Sequence, residues 1–175
     1  RASITVGDRN GGDGGERRDD GRVVHSRGFG HDGHGQAVSA DTPFPIGSLT
    51  KSFTALLVRQ FIEAGRLDAD TPVQRVLPWF KVADAQASSR ITVRHLLNQT
   101  SGFSRADGIA PLVVQTQAST MALARAMSST PLNRPVGASY EYSNLNFVLL
   151  GALLEELSGR PWPQLVQERV FAPLA

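Results

Sequence analysis

The sequence predicts an α+β protein in which two antiparallel amino-terminal strands precede a long helix-rich segment. Two observations lead to this prediction. Short β-rich runs lie within residues 1–30, and from residue 43 onward apolar residues recur mainly with helical periodicity. The 175 residues are long enough for one domain with a core. We therefore expect one domain, with a sheet edge at 1–30 and an α-rich segment at 43–175.

The two predicted strands flank a polar segment. The first strand, Ser3–Val6, is short and alternates in polarity, and the second, Arg22–Phe29, is rich in β-formers. Between them, Gly7–Gly21 consists mainly of Gly, Asp and Arg, which predicts a flexible loop. We expect the two strands to pair antiparallel across this loop, and a second loop to follow at Gly30–Thr42.

The first predicted helix begins near Gly47 and is expected to be central and buried. Its polar side chains occupy one narrow face, and Gly65 lies where a left-handed carboxyl-terminal cap is expected. Asp68–Ser89 is expected to be irregular because it contains two prolines. Further helices are predicted over Thr92–Asn98, Met121–Ser128, Asn144–Leu157 and Pro163–Val170.

Composition excludes several classes of function. The chain has no cysteine, hence no disulfide or thiolate metal site, and no apolar run long enough to span a membrane. The net charge is +2, and the amino-terminal arginines are interleaved with acidic residues, which disfavours nucleic-acid binding. Only two lysines occur, Lys51 and Lys81.

Three local patterns favour ordinary structure over chemistry. Gly28–Gly33 matches a dinucleotide-binding glycine pattern but is followed by a loop instead of a helix, so a glycine-rich turn is expected. His31 and His34, with Asp32 between them, lack the further ligands of a metal site. His95 lies among apolar residues and is expected to be a packed, hydrogen-bonded structural residue.

Ser48 and Lys51 are the strongest catalytic candidates. Residues three apart share a helix face, so the hydroxyl and the amine can meet. A serine needs an adjacent base to become a nucleophile, and both apolar surroundings and the positive end of a helix favour a neutral amine. The alternative is that Ser48 only caps the helix. A capping box would place Glu or Gln at position 51, where this chain has a cation.

Tyr142 and Asn144 form the second element, just before a predicted helix. A phenol can relay a proton, and a carboxamide can both donate and accept hydrogen bonds. The alternative is that Asn144 caps the helix and Tyr142 packs against it. The order of the Ser48–Lys51 and Tyr142–Asn144 pairs along the chain favours catalysis.

These motifs resemble those of the serine β-lactamase-like superfamily, which contains class C β-lactamases and related esterases and D,D-peptidases. The segments that carry the resemblance cover nearly the whole chain: Phe44–Thr54, Gly65–Val73, Ile91–Gly102, Tyr140–Asn144 and the helix that follows. The resemblance implies the penicillin-recognising serine hydrolase fold, here only in part, because the motif that the family carries on a later strand does not occur and further sheet strands are missing.

The resemblance also implies a function. Ser48 would form an acyl-enzyme with a small ester, peptide or β-lactam substrate. Lys51 and Tyr142 would act together as the general base, and Asn144 would bind the substrate. Which of Lys51 and Tyr142 takes the proton stays open, as does a relative that binds cell-wall peptides or β-lactams without turnover. No cofactor or metal is implied, and an extracytoplasmic location is expected. Gln99 stands where the family often has histidine, a position that we do not expect to carry the chemistry.

Overall fold

The computed structural model describes residues 3–7, 13–20, 22–109 and 118–174. The chain divides into two compact units, residues 1–47 and residues 48–175. Each unit is described by itself.

The first unit contains a three-stranded antiparallel sheet. Its strands are β1 (Ser3–Gly7), β2 (Asp13–Asp19) and β3 (Arg22–Phe29), in the order β1-β2-β3. The pairing places Ile4 opposite Glu16 and Glu16 opposite Ser26, with an irregularity in register between Arg17 and Arg18.

The strand β2 corrects the prediction of a loop over Gly7–Gly21. Within that segment residues 13–19 form a strand, while residues 8–12 and 21 lie outside the described residues. Gly, Asp and Arg are poor strand formers, but a strand between two partners has its backbone groups paired on both sides, which compensates for weak propensity. The prediction that β1 and β3 pair with each other is therefore wrong. Each of them pairs with β2.

The glycine-rich turn after β3 has a structural explanation. A Cβ on Gly28 would lie 2.1 Å from the carbonyl oxygen of Val38, so this backbone approach excludes a side chain. The Asp32 carboxylate accepts hydrogen bonds from the backbone N–H groups of His34 (2.8 Å) and Gln36 (2.9 Å), which holds the turn. Gly28 and Asp32 therefore shape a turn.

The second unit is helical where the structure describes it. The α-helices are α1 (Thr50–Glu63), α2 (Val73–Val76), α3 (Ala85–Arg90), α4 (Val93–Leu97), α5 (Thr120–Ala126), α6 (Asn144–Ser158) and α7 (Trp162–Val166). Turns of 3₁₀ helix cover Gly47–Leu49, Met127–Ser129 and Ala172–Leu174, and a π-helical turn covers Gln167–Phe171. Short helices α2 and α3 thus lie partly or wholly in the segment expected to be irregular.

The core of this unit is built around α6, which packs against α1, α4, α5 and α7. Three consecutive turns of α6 bury leucines, among them Leu149, Leu150 and Leu153, each 0% exposed. The helix ends at Gly159, whose φ of +69° supplies the left-handed cap that glycine adopts most readily. None of the described helices is both long and apolar enough to cross a membrane.

Helix α1 is less buried than the sequence predicted. Leu57, Val58 and Phe61 lie in the core, but Leu56 on the other side is 44% exposed. Within this unit α1 packs against α6, α7 and the π-helical turn, where the Phe53 and Phe171 rings meet edge to face at 5.4 Å, and these contacts leave Leu56 partly exposed. The helix ends as expected, with Gly65 at φ +66°.

Candidate active site

Ser48 lies in the 3₁₀ turn that leads into α1, and its side chain is exposed. The residue at the cap position of α1 is Leu49, and no side chain caps the helix. The Ser48 Oγ instead lies 2.5 Å from the Tyr142 Oη and 3.1 Å from the Lys51 Nζ. The Ser48 side chain therefore does not cap the helix, and this alternative is excluded.

Lys51 is the second residue of α1, so its ammonium lies near the positive end of the helix dipole, where a cation is disfavoured. Two kinds of contact compensate for this position. The Nζ donates hydrogen bonds to the Ser48 Oγ and to the Asn144 Oδ1, the latter at 2.7 Å. It also lies 4.9 Å from the ring centre of Tyr142 and 5.7 Å from that of Phe147, which stabilises a cation further.

Tyr142 and Asn144 reach Lys51 and Ser48 from the amino-terminal end of α6. The cap of α6 is Ser143, whose hydroxyl accepts a hydrogen bond from the Leu145 N–H at 3.4 Å. Asn144 is thereby free to use its amide elsewhere: its Oδ1 accepts from Lys51 and, at 3.3 Å, from the Tyr142 hydroxyl. The structure thus brings together all four residues singled out from the sequence, and their catalytic roles remain predictions.

The hydrogen bonds around Tyr142 perturb its acidity. Partial burial raises the pKa of the phenol, but the nearby Lys51 amine, the Ser48 hydroxyl and the positive charges of Lys51 and Arg105 outweigh burial, so that the net pKa lies below its ordinary value. A phenol with a lowered pKa gives up its proton more readily and is a better base near neutral pH. The Tyr142 phenol beside the Ser48 hydroxyl therefore ionises more readily than an ordinary tyrosine.

A cleft of about 370 Å³ opens over this group and is lined by Ser48, Arg105, Ile109, Tyr142 and Asn144. The guanidinium carbon of Arg105 lies 5.8 Å from the centre of the Tyr142 ring. The described lining of the cleft thus combines a hydroxyl, a phenol, an amide and a cation with one apolar side chain.

Three residues that support Tyr142 and Asn144 were not found as site residues from the sequence. Gly108 accepts a hydrogen bond through its carbonyl oxygen from the Asn144 Nδ2 at 3.1 Å. Glu141 accepts from the backbone N–H of Arg105 at 3.1 Å and also binds Asn133 and Arg134. Gln99, noted as a departure from the family pattern, bonds to residues on either side of Tyr142. These contacts are long-range, and the only local signal is the turn-forming Asp107-Gly108 pair.

His95 makes no hydrogen bond to this group. Among residues 3–7, 13–20, 22–109 and 118–174, no three His, Asp or Glu side chains are arranged to hold a metal ion. His95 accepts a hydrogen bond at its Nδ1 from the Thr92 backbone N–H at 3.2 Å, and the Thr92 hydroxyl accepts one from the His95 N–H. Together these bonds cap α4, which confirms the structural role expected for His95.

The chain is similar to several known proteins. Penicillin-binding protein 4 of Amycolatopsis lactamdurans is 35% identical over 147 residues, which are 82% of this chain and 37% of that protein. A D-stereospecific amidohydrolase from Streptomyces sp. superposes with a TM-score of 0.63 at 35% identity over 75% of this chain and 42% of that one. The octameric penicillin-binding protein homologue from Pyrococcus abyssi gives a TM-score of 0.68 at 30% identity, over 89% of this chain and 37% of that one.

The chain thus spans well under half the length of these relatives. The family model described as beta-lactamase matches residues 18–175, nearly all of the sequence. This family and the relatives named above belong to the serine β-lactamase-like superfamily, whose members are hydrolases. The chain belongs to the β-lactamase family.

Proposed function

We propose that the protein is a serine hydrolase that forms a covalent acyl-enzyme on Ser48. The observation that carries this proposal is the position of the Ser48 Oγ, within hydrogen-bond distance of both the Tyr142 Oη (2.5 Å) and the Lys51 Nζ (3.1 Å). A serine hydroxyl needs an adjacent base before it attacks a carbonyl, and here two candidate bases contact it.

The proposed reaction has two halves. In the first, the Ser48 Oγ bonds to the substrate carbonyl carbon while its proton passes to the Tyr142 phenolate, and the bond to the leaving alcohol or amine breaks as that group takes up the proton. In the second, water bonds to the same carbon, the bond between that carbon and the Ser48 Oγ breaks, and a proton from the water restores the Ser48 hydroxyl as the acid is released. The lowered pKa of Tyr142 supports this residue as the proton acceptor, with Lys51 as its charge partner.

Lys51 and Asn144 complete the proposed machinery. The Lys51 ammonium stabilises the phenolate electrostatically, and the Asn144 Oδ1 orients that ammonium at 2.7 Å. The Asn144 amide also lines the cleft, where it would bind the acyl-side carbonyl of the substrate. Backbone N–H groups at the start of α1 would donate to the developing oxyanion.

For the substrate we propose an ester or a peptide-like amide ahead of a β-lactam. The D-stereospecific amidohydrolase among the relatives supports an amide of a D-residue, and the penicillin-binding protein keeps a β-lactam as the second candidate. We further propose that these residues form part of a larger catalytic domain, because they match only 37% to 42% of the relatives' lengths. An extracytoplasmic location is proposed by analogy with penicillin-binding proteins, and fractionation of cells with an antibody to the protein tests it.

The test is covalent labelling of the protein, expressed from its complete reading frame, with a fluorescent penicillin and an activated fluorophosphonate. We expect label on the wild type and none on Ser48→Ala. Ser52→Ala is the matched control, because Ser52 is an exposed serine in the first turn of α1, just after the turn that holds Ser48, and this variant should label normally. No label on the wild type, or an equal label on Ser48→Ala, would overturn the proposal.

A second measurement separates hydrolysis from binding without turnover. Release of product from a chromogenic ester and from a D-amino acid amide is followed after one equivalent has reacted. Continued release supports a hydrolase, whereas a single burst followed by a stable label supports a binding protein that acylates without turning over.

A further inference from the structure

Gln99 follows α4 and adopts an unusual backbone conformation. Its φ is +60°, in the left-handed region that residues other than glycine rarely adopt, and it is only 6% exposed. Strain of this kind persists where the surrounding contacts hold the residue in place. The contacts of Gln99 therefore indicate what the conformation achieves.

Gln99 binds the residues immediately before and after Tyr142. Its backbone carbonyl accepts a hydrogen bond from the Glu141 N–H at 2.9 Å. Its side-chain Oε1 accepts one from the Ser143 N–H, also at 2.9 Å. One residue thus holds the backbone on both sides of the tyrosine whose hydroxyl contacts Ser48.

The same Oε1 also binds a side chain of α6. It accepts a second hydrogen bond, at 2.5 Å, from the Nδ2 of Asn146, whose Oδ1 in turn accepts from the Ser101 hydroxyl at 2.5 Å. Ser143, Asn146 and Ser101 are all 0% exposed, so water cannot readily replace a lost acceptor. Removing the Oε1 would leave two buried donors unpaired, and the segment would have to shift to satisfy them.

We propose that Gln99 is a positioning residue that fixes Tyr142 against Ser48 and Lys51, an inference that rests on the function proposed above. The direction of the Tyr142 side chain follows from the backbone of residues 141–143, and the Oη lies far from that backbone. A small rotation of the segment therefore moves the hydroxyl through a larger distance. Misplacement of a reacting group by about 1 Å can reduce a rate by about 100-fold.

The central variant is Gln99→Met, which keeps the length of the side chain and removes the acceptor. We expect the second-order rate of acylation of Ser48 to fall by about 10- to 100-fold. Gln99→Glu keeps the acceptor oxygen and should retain more of the rate. Gln74→Met is the matched control, because the Gln74 Nε2 donates to the Phe80 carbonyl oxygen at 2.8 Å, outside the contacts of Tyr142.

A second readout does not depend on activity. The ionisation of Tyr142 is measured from the ultraviolet difference between each protein and its Tyr142→Phe counterpart. The nearby Lys51 amine and the Ser48 hydroxyl lower the pKa of Tyr142, so a hydroxyl displaced from them should titrate at higher pH in Gln99→Met than in the wild type. Gln74→Met should leave this titration unchanged.

The two readouts together decide the inference. If Gln99→Met lowers only the melting temperature and leaves the acylation rate and the Tyr142 titration unchanged, Gln99 stabilises the fold and does not position Tyr142. If Gln99→Met does not fold, Gln99→Asn replaces it, because asparagine tolerates the left-handed region and its shorter amide cannot reach Ser143. If the wild type takes no label, but Tyr142 still titrates at higher pH in Gln99→Met than in the wild type, the proposed function is contradicted and the positioning role is supported.

Discussion

Replacement of Tyr142 by phenylalanine tests the proposed base most directly. The change removes one oxygen atom, the one that lies 2.5 Å from the Ser48 Oγ and 3.3 Å from the Asn144 Oδ1, and leaves the ring in place. The contact of Lys51 with Asn144 at 2.7 Å does not involve this oxygen. The variant should therefore keep the arrangement of the other three residues.

The expected loss in rate follows from the role of the oxygen. A positioned general base contributes about 10²- to 10⁴-fold, which corresponds to about 3–5 kcal/mol of activation free energy. The stability cost should be smaller. Two hydrogen bonds are lost at a half-exposed position, and each contributes about 1 kcal/mol or less to the free energy of unfolding. The rate and the stability should thus separate clearly.

The dependence on pH gives a second criterion. The phenol accepts a proton only when ionised, so the acylation rate of the wild type should rise with pH up to the pKa of Tyr142, which lies below the ordinary value of 10.0. In Tyr142→Phe this rising limb should disappear. Tyr140→Phe is the matched control, because Tyr140 is 66% exposed and should keep both the rate and the limb.

The assay is the rate of labelling by a fluorescent penicillin or phosphonate between about pH 6 and 11, with urea denaturation of each variant. A loss smaller than tenfold in Tyr142→Phe, or an unchanged rising limb, would refute the reasoning. The proton would then be assigned to Lys51, the other group in contact with the Ser48 hydroxyl.

Two further predictions concern the surroundings of this residue. Arg105→Gln removes a positive charge that lowers the pKa of Tyr142, so the rising limb should move to higher pH, whereas Arg105→Lys should leave it in place; identical pH profiles for all three proteins would contradict this. In Gly108→Ala the new Cβ would lie 2.7 Å from the Asn144 N and 2.9 Å from the Ser143 Oγ, so the start of α6 must shift. We expect labelling to slow at least tenfold and the free energy of unfolding to fall by about 1–3 kcal/mol. A Gly108→Ala variant with the labelling rate and the urea midpoint of the wild type would contradict this prediction.

The helices were predictable because their signals are local. The periodic apolar residues of α6 and the glycines at positions 65 and 159 act within a few residues of the chain, and the structure confirms both ends of α6 to within one residue. Strand β2 was missed because its own residues have low strand propensity. Its partners β1 and β3 lie next to it in the sequence, but the pairing that stabilises β2 is not visible in its residue types.

Burial was predicted less well than helicity. The sequence makes α1 apolar on most sides, yet its contacts within its unit leave Leu56 partly exposed, and α6 is the more buried helix. Periodicity shows which faces of a helix are apolar, but the arrangement of neighbouring helices determines which of those faces are covered.

The sequence by itself determined the spacing of Ser48 and Lys51, because residues three apart meet wherever a helix forms, and it identified the Tyr142–Asn144 motif by its residue types. Only the tertiary structure decided that the two motifs, 94 residues apart between Ser48 and Tyr142, come into hydrogen-bond contact. It also decided that Ser143 and not Asn144 caps α6, and that Gln99 holds the backbone on both sides of Tyr142. These contacts depend on how α1, α4 and α6 pack together, and packing is a property of the whole unit that no local pattern encodes.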